Sequence, residues 1–121
     1  MISAKVRPSK IRVRKAEKTL EIIFDDQSVF IYEAEYLRVE SPSAEVQGHG
    51  PGQKTLIAGR RHVSIADVEA VGNYAIRIVF DDLHDTGIFS WQYLHQLGIE
   101  KDERWNRYLT ALKDADLSRD P

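Results

Sequence analysis

One stretch of this chain occurs twice, and that repetition constrains the fold more than any other feature. Leu20–Leu37 reads LEIIFDDQSVFIYEAEYL, and Ile76–Leu94 reads IRIVFDDLHDTGIFSWQYL. The leading parts match at an offset of 56, pairing Leu20/Ile76, Ile22/Ile78, Ile23/Val79, Phe24/Phe80, Asp25/Asp81 and Asp26/Asp82. The trailing parts match at an offset of 57, pairing Ile31/Ile88, Tyr32/Phe89, Glu35/Gln92, Tyr36/Tyr93 and Leu37/Leu94. One residue has therefore been added in the turn of the later copy. A single hairpin is too small to bury its own apolar side. Two hairpin–helix units set side by side can share one core.

Local patterns give the units their elements. Lys10–Arg14 alternates strictly between charged and apolar, as a half-buried strand does. Thr19–Phe24 puts Leu20, Ile22 and Phe24 on one face, and Val29–Tyr32 completes a hairpin around the polar turn Asp25–Ser28. Glu33–Val39 reads as a short helix with Tyr36 and Leu37 inward. In the second unit, Val63–Val71 reads as a strand with a phase break and bulge near Ala66. Gly72-Asn73 is a hairpin signal. Strands Tyr74–Phe80 and Thr86–Phe89 follow, around a turn at Asp81–Asp85. Ser90 is placed to cap a helix Trp91–Leu97, with Gly98 at its C-terminal end. Lys101–Leu117 is an amphipathic helix with Trp105, Tyr108, Leu109 and Leu112 at i, i+3, i+4 and i+7. The expectation is one α+β domain over residues 1–121: a twisted, mainly antiparallel sheet from two hairpin–helix pseudo-repeats, helices covering one face, and a C-terminal amphipathic helix. Residues 1–9 read as a loose arm, and 118–121 as a tail that frays.

Composition narrows the function. With 121 residues the chain can bury a core without staples. The absence of cysteine removes disulfides, thiolate nucleophiles, and cluster or zinc ligation by thiolates. No apolar run reaches the length that spans a bilayer, and the N-terminus lacks the apolar centre of a signal peptide. The default expectation is a cytoplasmic protein with no membrane partner. The net charge of −2 is uneven: residues 1–18 hold seven Lys/Arg against Glu17 alone. A basic arm can point to nucleic acid. Here the alternation of Lys10–Arg14 favours a charged outer strand, so no nucleic-acid partner is expected.

Candidate chemistry gathers in two places. Residues 40–62 form a long stretch without periodicity, holding four of the seven glycines and two of the four prolines. Such stretches are usually functional or mobile. Its Gly48, His49, Gly50, Pro51 and Gly52 make a candidate interaction loop. The run Gly48–Thr55 lacks the glycine before Lys54 that a phosphate loop needs, and no strand–helix context surrounds it. The second place is the later turn. Asp25-Asp26 and Asp81-Asp82 recur at equivalent hairpin ends, as turn residues do, but His84 beside Asp82 adds a metal-capable imidazole. His49, His62 and Asp82 are secondary candidates to join it. No nucleophile-elbow context supports catalysis, so no enzymatic activity is expected. The aromatic residues Trp91, Tyr93 and Trp105 read as core first.

LRVESPSAEVQGHGPG (Leu37–Gly52) followed by FDDLHDTGIFSWQYL (Phe80–Leu94) resembles the gamma-butyrobetaine hydroxylase-like N-terminal domain. The resemblance covers roughly residues 10–98. This small domain stands alone in bacteria, precedes the oxygenase core in carnitine-biosynthesis hydroxylases, and is attached to some iron–sulfur carrier proteins. In the hydroxylases it binds zinc through three cysteines and a histidine. By position the cysteines fall on Ser41, Ser43 and Val46, and the histidine on His84. The resemblance therefore implies that the Cys₃His zinc site is absent, and that hydrogen bonds or packing pin the Ser41–Val46 loop to the Asp81–Asp85 turn. The oxygenase iron site lies in a separate domain and does not carry over.

Together these readings give two expectations. One is a non-catalytic accessory module that binds a protein partner, such as an iron–sulfur carrier, or associates with itself. The other is an iron- or zinc-binding domain with a cysteine-free site around His84, drawing on His49, His62, Glu45 or a turn aspartate.

Overall fold

The computed structural model describes residues 6–48 and 54–121. Six strands run in order: β1 (Pro8–Arg14), β2 (Thr19–Phe24), β3 (Val29–Glu33), β4 (Ile65–Val71), β5 (Ala75–Phe80) and β6 (Gly87–Ser90). Four helices accompany them: α1 (Ala34–Val39), α2 (Ala44–Gln47), α3 (Trp91–Ile99) and α4 (Lys101–Asp114). The strands form two antiparallel three-stranded sheets, β1-β2-β3 and β4-β5-β6. The α+β class and the repeat hold, with the strands divided between two meanders rather than joined in one sheet. Each meander runs straight into its helix, α1 or α3. Leu20, Ile22, Phe24 and Tyr32 of the first unit and Ile76, Ile78, Phe80 and Phe89 of the second face a single core, completed by Tyr36, Leu37, Leu94 and Leu97 of the two helices.

The registers show where the repeat gains and loses residues. Pro8↔Phe24 and Lys10↔Ile23 flank a bulge in the first unit, as Ile65↔Phe80 and Asp67↔Val79 do in the second. The first strands are thus related by 57 and the second strands by 56, with the bulge at Ala66 matched at Ser9. The hairpin turns are superposable: Phe24 N–H bonds Ser28 O and Phe80 N–H bonds His84 O, both at 2.9 Å. Gln27 and Leu83 share a φ of 72°. The added residue therefore does not lie in the turn itself. It lies just after His84, since the third strands pair as Ile22↔Phe30 but Ile78↔Gly87.

The units interlock about a pseudo-two-fold axis. Tyr36 donates its hydroxyl to Leu97 O at 2.6 Å, and its counterpart Tyr93 donates to Glu40 O at 2.5 Å. Leu97 and Glu40 are themselves counterparts, so each helix end satisfies a carbonyl of the other. Burial pushes both phenols up, Tyr93 to about 12.

Several details differ from the sequence reading. The described part of the arm is not loose: Val6 is buried, Asp25 N–H bonds Arg7 O at 2.9 Å, and Pro8 and Ser9 open β1. Helix α2 interrupts the stretch 40–62, read as irregular. Gly98 is not the cap of α3, which continues to Ile99 and ends at Glu100. It serves packing instead, for a Cβ there would meet the Phe30 ring at 2.4 Å. Helix α4 stops at Asp114 rather than Leu117. Asp116 takes a left-handed φ of 56°, and Leu117 N–H returns to Leu112 O, closing the helix end. Leu109, read as part of the apolar face, is 38 % exposed while Tyr108 and Leu112 are buried. The tail is held rather than frayed: Gly59 and Arg61 N–H bond Ser118 and Arg119 carbonyls. Arg119 forks onto the buried Glu35 carboxylate at 2.7 and 2.9 Å and stacks over Trp105. Ser90 caps α3 as expected, accepting from Tyr93 N–H.

Candidate functional site

The later turn carries His84 into the interior. The turn backbone fixes it: Asp82 Oδ1 accepts from His84 N–H at 3.2 Å, as Asp26 Oδ1 accepts from Ser28 N–H at 3.0 Å. His84 Nε2 lies 2.9 Å from Ser41 Oγ and 3.3 Å from Ser43 Oγ, all three residues being buried. The loop is thus tied to the turn by a hydroxyl–imidazole network. Nδ1 is buried with no hydrogen-bond partner among the described residues, and Glu45 Oε2 stands 3.5 Å away. Burial, then the Arg38 guanidinium, lowers the imidazole pKa against the opposing pull of Glu45 and Asp82.

Asp82 does more than shape the turn. Its Oδ2 accepts from Arg38 Nε at 2.7 Å and Arg60 Nε at 2.8 Å. Burial opposes its ionisation, but the Arg38 hydrogen bond, the His84 amide and the two guanidinium charges outweigh it, holding the carboxyl below its ordinary range. The two arginines were missed in the sequence, although the repeat carried a signal. Arg38 is the counterpart of His95, and His95 Nε2 meets Asp26 Oδ2 at 2.8 Å. Each turn aspartate therefore reaches across to the helix of the other unit.

The remaining candidates do not converge. His62 is exposed, and among the described residues only its carbonyl is engaged, by Lys18 Nζ at 3.2 Å. His49, Gly50, Pro51 and Gly52 of the proposed interaction loop lie outside the described residues. Gly48 caps α2 with a φ of 74°. Beyond it, residues 54–57 and α4 enclose a cleft of about 260 Å³ over Val39, Leu56, Ile57 and Tyr108. Glu40, buried at its edge, is paired with Lys54 at 2.9 Å and Arg104 at 3.1 Å. Among the described residues no three His, Asp or Glu side chains are grouped to hold a metal ion, and no helix is long and apolar enough to cross a membrane.

The family model described as gamma-butyrobetaine hydroxylase-like, N-terminal, matches residues 11–95. The chain belongs to this family. Among solved structures it is similar to a protein determined by NMR in solution at 46 % identity, over 95 % of this chain and 90 % of that one, with a TM-score of 0.83. A second NMR solution structure matches at 40 % identity over 98 % and 89 %, with a TM-score of 0.84. A crystal structure of a protein of unknown function of the DUF971 family from Acidithiobacillus ferrooxidans matches at 35 % identity over 76 % and 92 %, with a TM-score of 0.65. No curated protein matches the chain. In this gamma-butyrobetaine hydroxylase-like domain the positions that the resemblance assigns to zinc hold Ser41, Ser43, Val46 and His84. Two hydroxyls are poor zinc ligands, and Val46 offers none. The imidazole nitrogen that faces them is engaged by Ser41 and Ser43 instead.

Proposed function

We propose that the protein is a non-catalytic interaction module that docks a protein partner, in the service of a metal- or iron–sulfur-handling system. The observation that supports this reading is the pair of open sheet faces. Ile31 on β3 and its counterpart Ile88 on β6 are each 46 % exposed, and Val29 beside Ile31 is 53 % exposed. Large apolar side chains at matched places on two sheets, each framed by charges, form the apolar centre and polar rim of a docking surface. The link to iron–sulfur handling rests on the company this domain keeps in larger proteins, which is analogy.

The test is retention of a purified iron–sulfur carrier ATPase by the immobilised protein. Ile31→Glu and Ile88→Glu, with circular dichroism unchanged, are expected to abolish retention. Equal retention by wild type and both variants, or none by wild type, overturns the reading.

The alternative, a cysteine-free iron or zinc site around His84, is favoured only by the unpartnered His84 Nδ1 with Glu45 at 3.5 Å. A titration with Zn²⁺ or Fe²⁺ followed through the histidine ring NMR signals decides it. Absence of any His84 shift at micromolar metal removes that alternative.

A further inference from the structure

The internal repeat makes the outer faces of the two sheets comparable residue by residue, and their charges are reversed. Cross-strand partners share a face of a sheet. On the first sheet Lys10 pairs with Ile23, Arg12 with Glu21, and Glu21 with Ile31, all on the face opposite the buried Leu20 and Ile22. On the second sheet Asp67 pairs with Val79, Glu69 with Arg77, and Arg77 with Ile88, opposite the buried Ile76 and Ile78. The counterparts are thus Lys10 and Asp67, Arg12 and Glu69, and Glu21 and Arg77, while Ile23/Val79 and Ile31/Ile88 stay apolar.

Each face is a central charge flanked by opposite ones. Glu21 lies between Arg12 at 3.8 Å and Arg14 at 3.4 Å. Arg77 lies between Glu69 at 2.6 Å and Asp85 at 3.5 Å. The centre of one face presents plus, minus, plus, with Glu33 at its margin held by Lys101 at 2.7 Å; the other presents minus, plus, minus. Lys10, Arg12, Asp67 and Glu69 are all exposed.

We propose that the first sheet's outer face docks on the second sheet's outer face of another copy of this chain, head to tail. This rests on the interaction-module reading and names the partner for the same surface. Sheets pack face to face about 10 Å apart with their side chains interdigitated. With Glu21 over Arg77 and β1 over β4, such a stack sets Ile31 against Ile88 and opposes Arg12 to Glu69 and Arg14 to Asp67. Two copies of the first face against each other would oppose Arg12 to Arg12 and Glu21 to Glu21 when aligned centre to centre, so the heterologous pairing is the favoured one. A head-to-tail contact leaves one free face on each end unit, so assembly proceeds beyond a pair or closes as a ring.

Sedimentation analysis of the full chain across concentration, at low and high salt, tests this with charge swaps on exposed residues. Wild-type mass should rise with concentration at low salt and fall back at high salt. Arg12→Glu cancels the excess positive charge of the first face, Glu69→Arg cancels the excess negative charge of the second, and each sets like charges at positions 12 and 69 against one another, so each variant alone should stay monomeric. Mixing the two should restore association, and the double variant R12E/E69R should self-associate like wild type. Association of either single variant at the wild-type level, or failure of the mixture to associate, overturns the pairing. A wild-type monomer at every concentration also overturns it, and if that monomer still binds the carrier ATPase through Ile31 and Ile88, the interaction-module reading survives. Circular dichroism on each variant separates loss of association from loss of fold.

Discussion

Asp26 and Asp82 occupy the same place in the two units, yet one reaches a histidine and the other two arginines. Asp26 is exposed, with its pKa lowered to about 2 by the Ser28 hydroxyl and amide and by His95. Asp82 is mostly enclosed, and the Arg38 side chain that it neutralises is 8 % exposed. The same carboxylate position thus serves a rim contact in one unit and a buried ion pair in the other. A repeat conserves geometry, and the environment decides the energy. Removing one partner of a buried pair strands the other charge and costs about 3 kcal/mol or more. Asp82→Ala is therefore expected to lower the urea midpoint strongly, whereas Asp26→Ala should change it only as much as loss of a surface pair does. Comparable midpoints for the two variants would mean that Arg38 finds water or another acid.

A second matched contact trades size between units. Phe30 and Gly87 are counterparts, as are Gly98 and Ser41. In one contact the Phe30 ring fills the room that Gly98 leaves; in the other, Gly87 leaves room for Ser41, whose Oγ stands 2.4 Å from where a Cβ would be. Gly98→Ala forces a ring aside and is expected to cost about 1–3 kcal/mol. Phe30→Leu in the same chain should recover part of that loss. A double variant no better than the product of the single changes would show that the helix backbone, rather than the ring, resists the methyl group.

The reciprocal tyrosines come next in size. Tyr36→Phe and Tyr93→Phe each leave a helix-end carbonyl without its buried donor, at an expected cost of about 1–2 kcal/mol measured by chemical unfolding. Similar losses from both would show that the pseudo-two-fold holds energetically as well as geometrically. A loss confined to one would show that water reaches the other carbonyl.

Much of this was legible because a repeat carries its own control. The duplicated Phe-Asp-Asp turn, the bulge near Ala66 and the Ser90 cap were readable, since each depends on neighbours within a few residues. The division into two sheets was not, because local alternation says which residues face inward but not whether two meanders share a ladder. The role of Arg38 was hidden for a related reason. Its partner Asp82 is 44 residues away, and only the pairing of His95 with Asp26 in the other unit makes that contact intelligible. Gly98 looked like a helix end because glycine usually marks one. The demand for space came instead from Phe30, 68 positions earlier. The held tail depends likewise on a distant, buried carboxylate, Glu35.

The smallest expected effect separates the two turns by pH. His84 has its pKa lowered by burial and by Arg38, so the folded state favours the neutral ring. An unfolded chain takes up that proton near the ordinary histidine value of about 6.5. Between that value and the lower folded one the unfolded state binds more protons, so stability falls as pH drops through this window, by at most about 1.4 kcal/mol per pH unit. Above the window the contribution is fully present. The Asp26 contribution lies elsewhere: its window runs from the usual 3.8 down to about 2. Urea midpoints taken from pH 7.5 to pH 5 should therefore slope downward for wild type and flatten for His84→Gln, whose amide keeps a partner for Ser41. Asp26→Asn should leave that slope intact and alter only the acid limb. A His84→Gln protein with the wild-type slope would move the titrating group away from the later turn, and with it the distinction between the two units that the extra residue after His84 suggests.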